Sequence, residues 1–120
     1  MPGGELGTTY PDGAVIVSEG ERGDCMYVVQ AGRVKVVHEE SGHEQCFDVI
    51  SEGGFFGEMA LFETEVRSAT VRALGEVRVL KIDKRTLLRR INEDPLLALN
   101  LLKTLSARLR KARKEQQESR

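Results

Sequence analysis

The sequence predicts a mainly β domain, a sandwich or jelly-roll barrel, followed by C-terminal α-helices. Three observations carry this. Short apolar runs separated by glycine turns at near-even spacing fill the chain from about Leu6 to Ile82. After Ile82 the apolar period lengthens to that of a helix. From Pro95 onward there is no further glycine or proline to interrupt a long helix. At 120 residues the chain fits one domain and can bury a core without disulfides or a metal.

The strands follow in order. "AVIVSEG" reads as a strand closed by a turn at Glu19-Gly20, and "CMYVVQAG" as another closed at Ala31-Gly32. "RVKVVHEE" alternates, with Val34 and Val36 on one face and Arg33 and Lys35 on the other. Ser41-Gly42 supplies a hairpin turn into "QCFDVI", and "SEGG" punctuates its end. "RSATVRAL" and "EVRVLKI" are the last two strands, joined at Gly75.

The helices come next. Asp83 is a candidate N-cap for a hinge helix over about 83–93, with Leu87, Leu88 and Ile91 at helical spacing. Pro95 suits the first turn of a second helix over about 95–116. On it, Ala98, Leu102, Leu105, Leu109 and Ala112 alternate in steps of four and three, the seam of a coiled coil. Leu97, Leu99 and Leu101 widen the apolar face. The expectation is a homodimer through this helix, the alternative being a helix that only covers its own domain. Lys103, Arg108, Arg110, Lys111, Arg113 and Lys114 have no acid among them and no aromatic beside them. They read as a solvated face that complements the helix C-terminus rather than as a nucleic-acid contact.

Composition excludes several function classes. A net charge of −1 does not advertise a nucleic-acid partner. Two cysteines, Cys25 and Cys46, without CxxC spacing argue against zinc, iron–sulfur and disulfide scaffolds. The N-terminal stretch "MPGGELGTTYPDG" lacks the regions of a signal peptide, and no apolar run reaches membrane-span length. A cytoplasmic, soluble protein without a membrane or metal partner is expected.

Chemistry concentrates in "EGGFFGEMALFETEVRSA". Arg67 stands among strand-forming apolar residues, where a charge is costly unless paired. A glycine before a helix start lets a ligand approach unpaired N–H groups, which suits a phosphate. Arg67 can grip two phosphate oxygens, and Glu58 can accept from a ribose hydroxyl. The alternative on spacing alone is that Glu58 and Arg67 simply pair with each other. In the empty protein, these two groups are the ones expected to be held by water or a stray anion.

Gly57-Glu58-Met59-Ala60-Leu61 followed by Arg67-Ser68-Ala69 resembles the phosphate-binding cassette of cyclic nucleotide-binding domains. Gly13, Gly20, Gly23-Asp24 and Gly32 resemble that family's glycine turns, and "DPLLALNLLKTLSARLRKAR" its C-terminal helix. The resemblance implies one domain over 1–120: a jelly-roll barrel at about 6–82 with its cassette at 57–69, then hinge and lid helices. It implies a 3′,5′-cyclic mononucleotide ligand. The phosphate would meet Arg67, Ser68 and the N–H groups near Ala60 and Ala69; the ribose would meet Glu58 and the Gly57 backbone. Met59 belongs to the same cassette. Phe47 and Val49 would line the base, and Arg108 would lie on the capping helix. The family's polar base-contacting pair falls on Ala112-Arg113, a departure from its pattern. Ser68 is compatible with either base, and cyclic AMP is favoured over cyclic GMP.

Rival readings are a cupin-like metal protein, a haem or iron–sulfur gas sensor, and a hydrolase. The first needs converging histidines, and only His38 and His43 are present, flanking a hairpin turn. The gas sensor needs placed cysteines or histidines. A hydrolase built on Glu58, Glu63 or Glu65 lacks a nucleophile or metal nearby, so a non-enzyme is expected. No helix-turn-helix follows the long helix within this sequence, which stops at "QQESR". The reading is a stand-alone regulatory sensor acting on an unknown downstream partner. The alternative is the truncated sensor domain of a cyclic-nucleotide-responsive transcription factor.

Overall fold

The computed structural model describes residues 7–63 and 66–118. The elements, in chain order, are β1 (Thr8–Tyr10), β2 (Val15–Val17), β3 (Cys25–Glu40), β4 (His43–Ser51), β5 (Phe55–Phe56), α1 (Met59–Glu63), β6 (Thr70–Asp83), α2 (Lys84–Glu93) and α3 (Leu96–Glu118). They form two compact units, one ending at Lys84 and one beginning at Arg85.

The first unit is a six-stranded antiparallel sheet with the jelly-roll fold. Its strand order is β1-β6-β3-β4, with β2 also on β6 and β5 also on β3. Its core is a branched-aliphatic cluster: Val17, Val29, Val34, Ile50, Phe56, Val71, Ala73, Val77 and Val79 are buried together. β-branched side chains suit this pleated surface because their restricted rotamers pack against cross-strand neighbours. Val34 is wholly buried and pairs with the equally buried Ala73 and with Ile50.

Two of the expected turns are bends within long strands. β3 runs unbroken for 16 residues through Ala31-Gly32, and β6 for 14 residues through Gly75. The register explains why. Val29 pairs with Val79, Ala31 with Arg78 and Arg33 with Leu74, so both strands slip at the same place. Gly32 and Gly75 take φ of 85° and 75° there. Residues in the left-handed region bulge a strand without ending it. A glycine that looks like a turn in sequence thus marks a shared kink.

Ser41-Gly42 does close a hairpin. Both residues have positive φ, 54° and 80°, and Glu40 pairs with His43 across the two-residue loop. That is the geometry of a type I′ turn, whose twist matches the flanking strands. A further slip between Val36 and Val37 leaves Phe47 as the extra residue on β4.

In the second unit, the Asp94 N–H donates to the Arg90 carbonyl at 2.9 Å and so finishes α2. The Asp94 Oδ1 then accepts the Leu96 N–H at 3.2 Å, capping α3, with Pro95 between them. α3 is 23 residues long, and Leu102, Leu105 and Leu109 of the seam are exposed. No helix among the described residues is long and apolar enough to cross a membrane.

Candidate functional site

α1 follows β5 through Gly57 and Glu58, and β6 begins just after Arg67-Ser68-Ala69. Gly57, Glu58, Met59, Ala60, Val66, Arg67 and Ser68 line a hollow of about 130 Å³. Of the cassette residues singled out in the sequence, all but Leu61 and Ala69 line it. Met59 and Val66 are exposed and form an apolar rim. Glu58 and Arg67 contribute the charges to its wall.

Arg67 is 9% exposed, and its guanidinium is held by backbone. Nη1 donates to the Gly57 carbonyl at 3.1 Å and Nη2 to the Cys25 carbonyl at 2.9 Å. Nη2 also lies 3.7 Å from Cys25 Sγ. The guanidinium carbon stands 5.9 Å from the centre of the Tyr27 ring, within cation–π range. Tyr27 in turn stacks on Phe56 at 5.2 Å. Burial pushes the Tyr27 phenol up to about 12, reinforced by Cys25 and opposed by Arg67.

This corrects the expectation that Arg67 waits on water or an anion. Charge-assisted bonds to the two carbonyls offset its desolvation. The guanidinium is a fork of donors, so two carbonyls hold it in place while it still lines the hollow. The helix start also differs from expectation. The Ala60 N–H donates to the Gly57 carbonyl at 3.3 Å and the Leu61 N–H to the Glu58 carbonyl at 3.1 Å. Those two N–H groups are engaged in a tight first turn rather than left unpaired.

Glycine shapes the slot around the guanidinium. Gly57 has φ of 78°, and a Cβ there would come within 2.5 Å of Nη1. On the other side, a Cβ on Gly23 would collide with the Cζ and Nε atoms of Arg67. Spacing could not reveal Gly23, because it reaches Arg67 only through the fold.

Ala69, Phe47 and Val49 are not among the residues that line this hollow. Ala69 is half-buried just before β6. Phe47 and Val49 are exposed on β4. Phe47 stacks on the His38 ring at 4.5 Å. Arg108 is on α3, in the second unit. The Glu63 side chain and Glu65, named for the hydrolase reading, lie outside the described residues. Leu6, the expected start of the barrel, does too.

A jelly roll whose wall carries an anchored arginine and a carboxylate around a small hollow has the chemistry of the class of domains that hold a sugar phosphate. The family model of the cyclic nucleotide-binding domain matches residues 8–94. The chain belongs to that family. It is 36% identical over 81 residues to a cAMP-dependent protein kinase regulatory subunit of Blastocladiella emersonii, covering 67% of this chain and 20% of the relative. It is 30% identical over 103 residues to a CRP-like cAMP-activated global transcriptional regulator of Mycobacterium tuberculosis, covering 85% of this chain and 46% of the relative. The crystal structure of the Thermus thermophilus catabolite activator protein superposes with a TM-score of 0.77 at 33% identity, covering 90% of this chain and 51% of that one. The chain therefore spans less than half the length of these two curated relatives. Arg108 lies beyond the residues that the family model matches.

Proposed function

We propose that this chain is a regulatory, non-catalytic module that binds a 3′,5′-cyclic mononucleotide, cyclic AMP ahead of cyclic GMP. The observation that carries the reading is the hollow that Arg67 and Glu58 line together. Arg67 takes the cyclic phosphate and Ser68 adds a hydroxyl. Glu58 and the Gly57 backbone take the ribose 2′-hydroxyl. The preorganised guanidinium reduces the ordering cost of binding. The preference for cyclic AMP is supported by the cyclic AMP named in both curated relatives; Ser68 suits either base. Phe47, Val49 and Arg108 are assigned to the base on resemblance alone.

The signal leaves through chain continuity. β6 begins just after the arginine and runs directly into α2, which leads to α3. The seam of α3 offers exposed Leu102, Leu105 and Leu109 to a second copy of the chain. A ligand shifts such an equilibrium only by its differential affinity for the two states.

Titration calorimetry of nucleotide-free protein with cyclic AMP and cyclic GMP tests the reading. Saturable binding with cyclic AMP the tighter is expected. No heat from either at millimolar concentration overturns it. Leu105→Glu tests the relay, since it puts charge into the seam and should lower the sedimenting mass. An unchanged mass excludes the seam as the dimer contact.

A further inference from the structure

The segment from Gly20 to Cys25 grips Arg67 along its whole length. The Gly20 N–H donates to the Arg67 carbonyl at 2.9 Å, and the Arg67 N–H donates to the Glu21 carbonyl at 2.6 Å. Arg22 forms an isolated bridge with Val66. The Cys25 carbonyl takes Nη2. Between these backbone contacts lies Gly23. The nearest neighbours of a Cβ added there all belong to the guanidinium: Cζ and Nε, then Nη2 at 2.5 Å. Real Cβ contacts essentially never fall under 3.0 Å.

The position is unusual in what would give way. The φ of Gly23 lies outside the left-handed region, so an L side chain meets no left-handed strain there. No backbone atom is among its nearest neighbours. The three nearest obstacles are all atoms of the Arg67 guanidinium. A substitution therefore falls on the geometry of Arg67 before it falls on the backbone.

We propose that Gly23 is a positioning residue for the phosphate-binding guanidinium: its missing side chain lets Arg67 lie along the Gly20–Cys25 segment with both terminal nitrogens on carbonyls. A methyl group at 23 evicts the guanidinium from the Gly57 and Cys25 carbonyls. The arginine is then present but no longer held at the wall of the hollow. This rests on the reading that the hollow takes a cyclic phosphate, and it names a residue outside the hollow on which that binding depends.

The test is a double-mutant cycle of Gly23→Ala and Arg67→Ala, read by calorimetry with cyclic AMP. Gly23→Ala should weaken binding about 10-fold or more, the loss of one charge-assisted contact. In the Arg67→Ala background it should change affinity by less than about 2-fold, because effects through a shared partner do not add. Equal factors in both backgrounds, or no weakening in the wild-type background, overturn the proposal. NMR of the ligand-free Arg67 side-chain N–H groups supplies a readout without nucleotide. Their resonances should shift and exchange faster with solvent in Gly23→Ala; unchanged resonances overturn the proposal even if no nucleotide binds. Should Gly23→Ala lose stability in urea, deleting the Arg67 side chain should restore it. A loss that persists in the double variant means that Gly23 acts on the fold. Wild-type protein that binds neither nucleotide refutes the functional reading and leaves the NMR result to decide Gly23.

Discussion

Two regions of the sheet unit each hold a glycine with no room for a side chain: Gly32 at the kink shared by β3 and β6, and Gly23 at the slot around Arg67. At the kink, a Cβ on Gly32 would collide with the Glu76 carbonyl oxygen and stand 3.1 Å from the Val77 Cα. Those are backbone atoms of a paired strand and cannot step aside. At the slot, the three atoms nearest to a Cβ on Gly23 all belong to the end of the Arg67 side chain. The same residue type, crowded to a similar degree, makes room for a strand backbone in one place and for the Arg67 guanidinium in the other. The identity of the neighbour, backbone or side chain, decides which.

That contrast can be broken by experiment. Gly32→Ala should have the largest effect on stability. Left-handed strain of about 1–3 kcal/mol adds to a steric cost of about 1–3 kcal/mol, so urea melts should show a loss of roughly 2–6 kcal/mol. A loss under about 1 kcal/mol would mean that the bend relaxes and the kink is not rigid. Arg67→Ala should act chiefly on the ligand, weakening cyclic AMP binding about 10- to 150-fold. Unchanged affinity would make Arg67 a brace between Gly57 and Cys25 and nothing more. Gly75→Ala sharpens the kink itself. Gly75 has φ of 75° but nothing within 4 Å of an added Cβ, so only left-handed strain of about 1–2 kcal/mol is added. A loss as large as that of Gly32→Ala would assign the kink to backbone conformation rather than to the Glu76 collision.

The smallest effect concerns the ring beneath the guanidinium. The Tyr27 phenol is raised from 10.0 to about 12, so folding favours its neutral form. That contribution is fully present below about pH 10 and is lost as pH rises through about 12. Urea melts across this window should show wild type losing more stability than Tyr27→Phe. Equal losses would assign the alkaline sensitivity to another group.

What the sequence revealed follows the same divide. The Ser41-Gly42 hairpin and the Asp94-Pro95 break were legible because their geometry is written in two adjacent residues. β1 and β5 were not, since three and two residues are too few to display alternation. Ala31-Gly32 and Gly75 read as turns because positive φ serves turns and bulges alike. The motif located Glu58 and Arg67, and the cost of burying a charge required a partner for Arg67. It could not name the Gly57 and Cys25 carbonyls, because every residue carries a carbonyl and none leaves a mark in the sequence. Gly23 was legible as a glycine but not as a neighbour of Arg67, since that contact exists only after folding.

The bond between Arg67 and the Cys25 carbonyl joins residues 42 apart in the chain. β6, which follows Arg67 directly, pairs with β1, β2 and β3. The slot therefore closes by non-local pairing, the slow and loop-entropy-limited kind. A chain emerging from synthesis has the cassette motif complete at Ala69, before any of β6 exists to hold it against β3. Competence to bind thus arrives with the last long strand, and nucleotide added during refolding should capture only molecules in which β3 and β6 have already zipped.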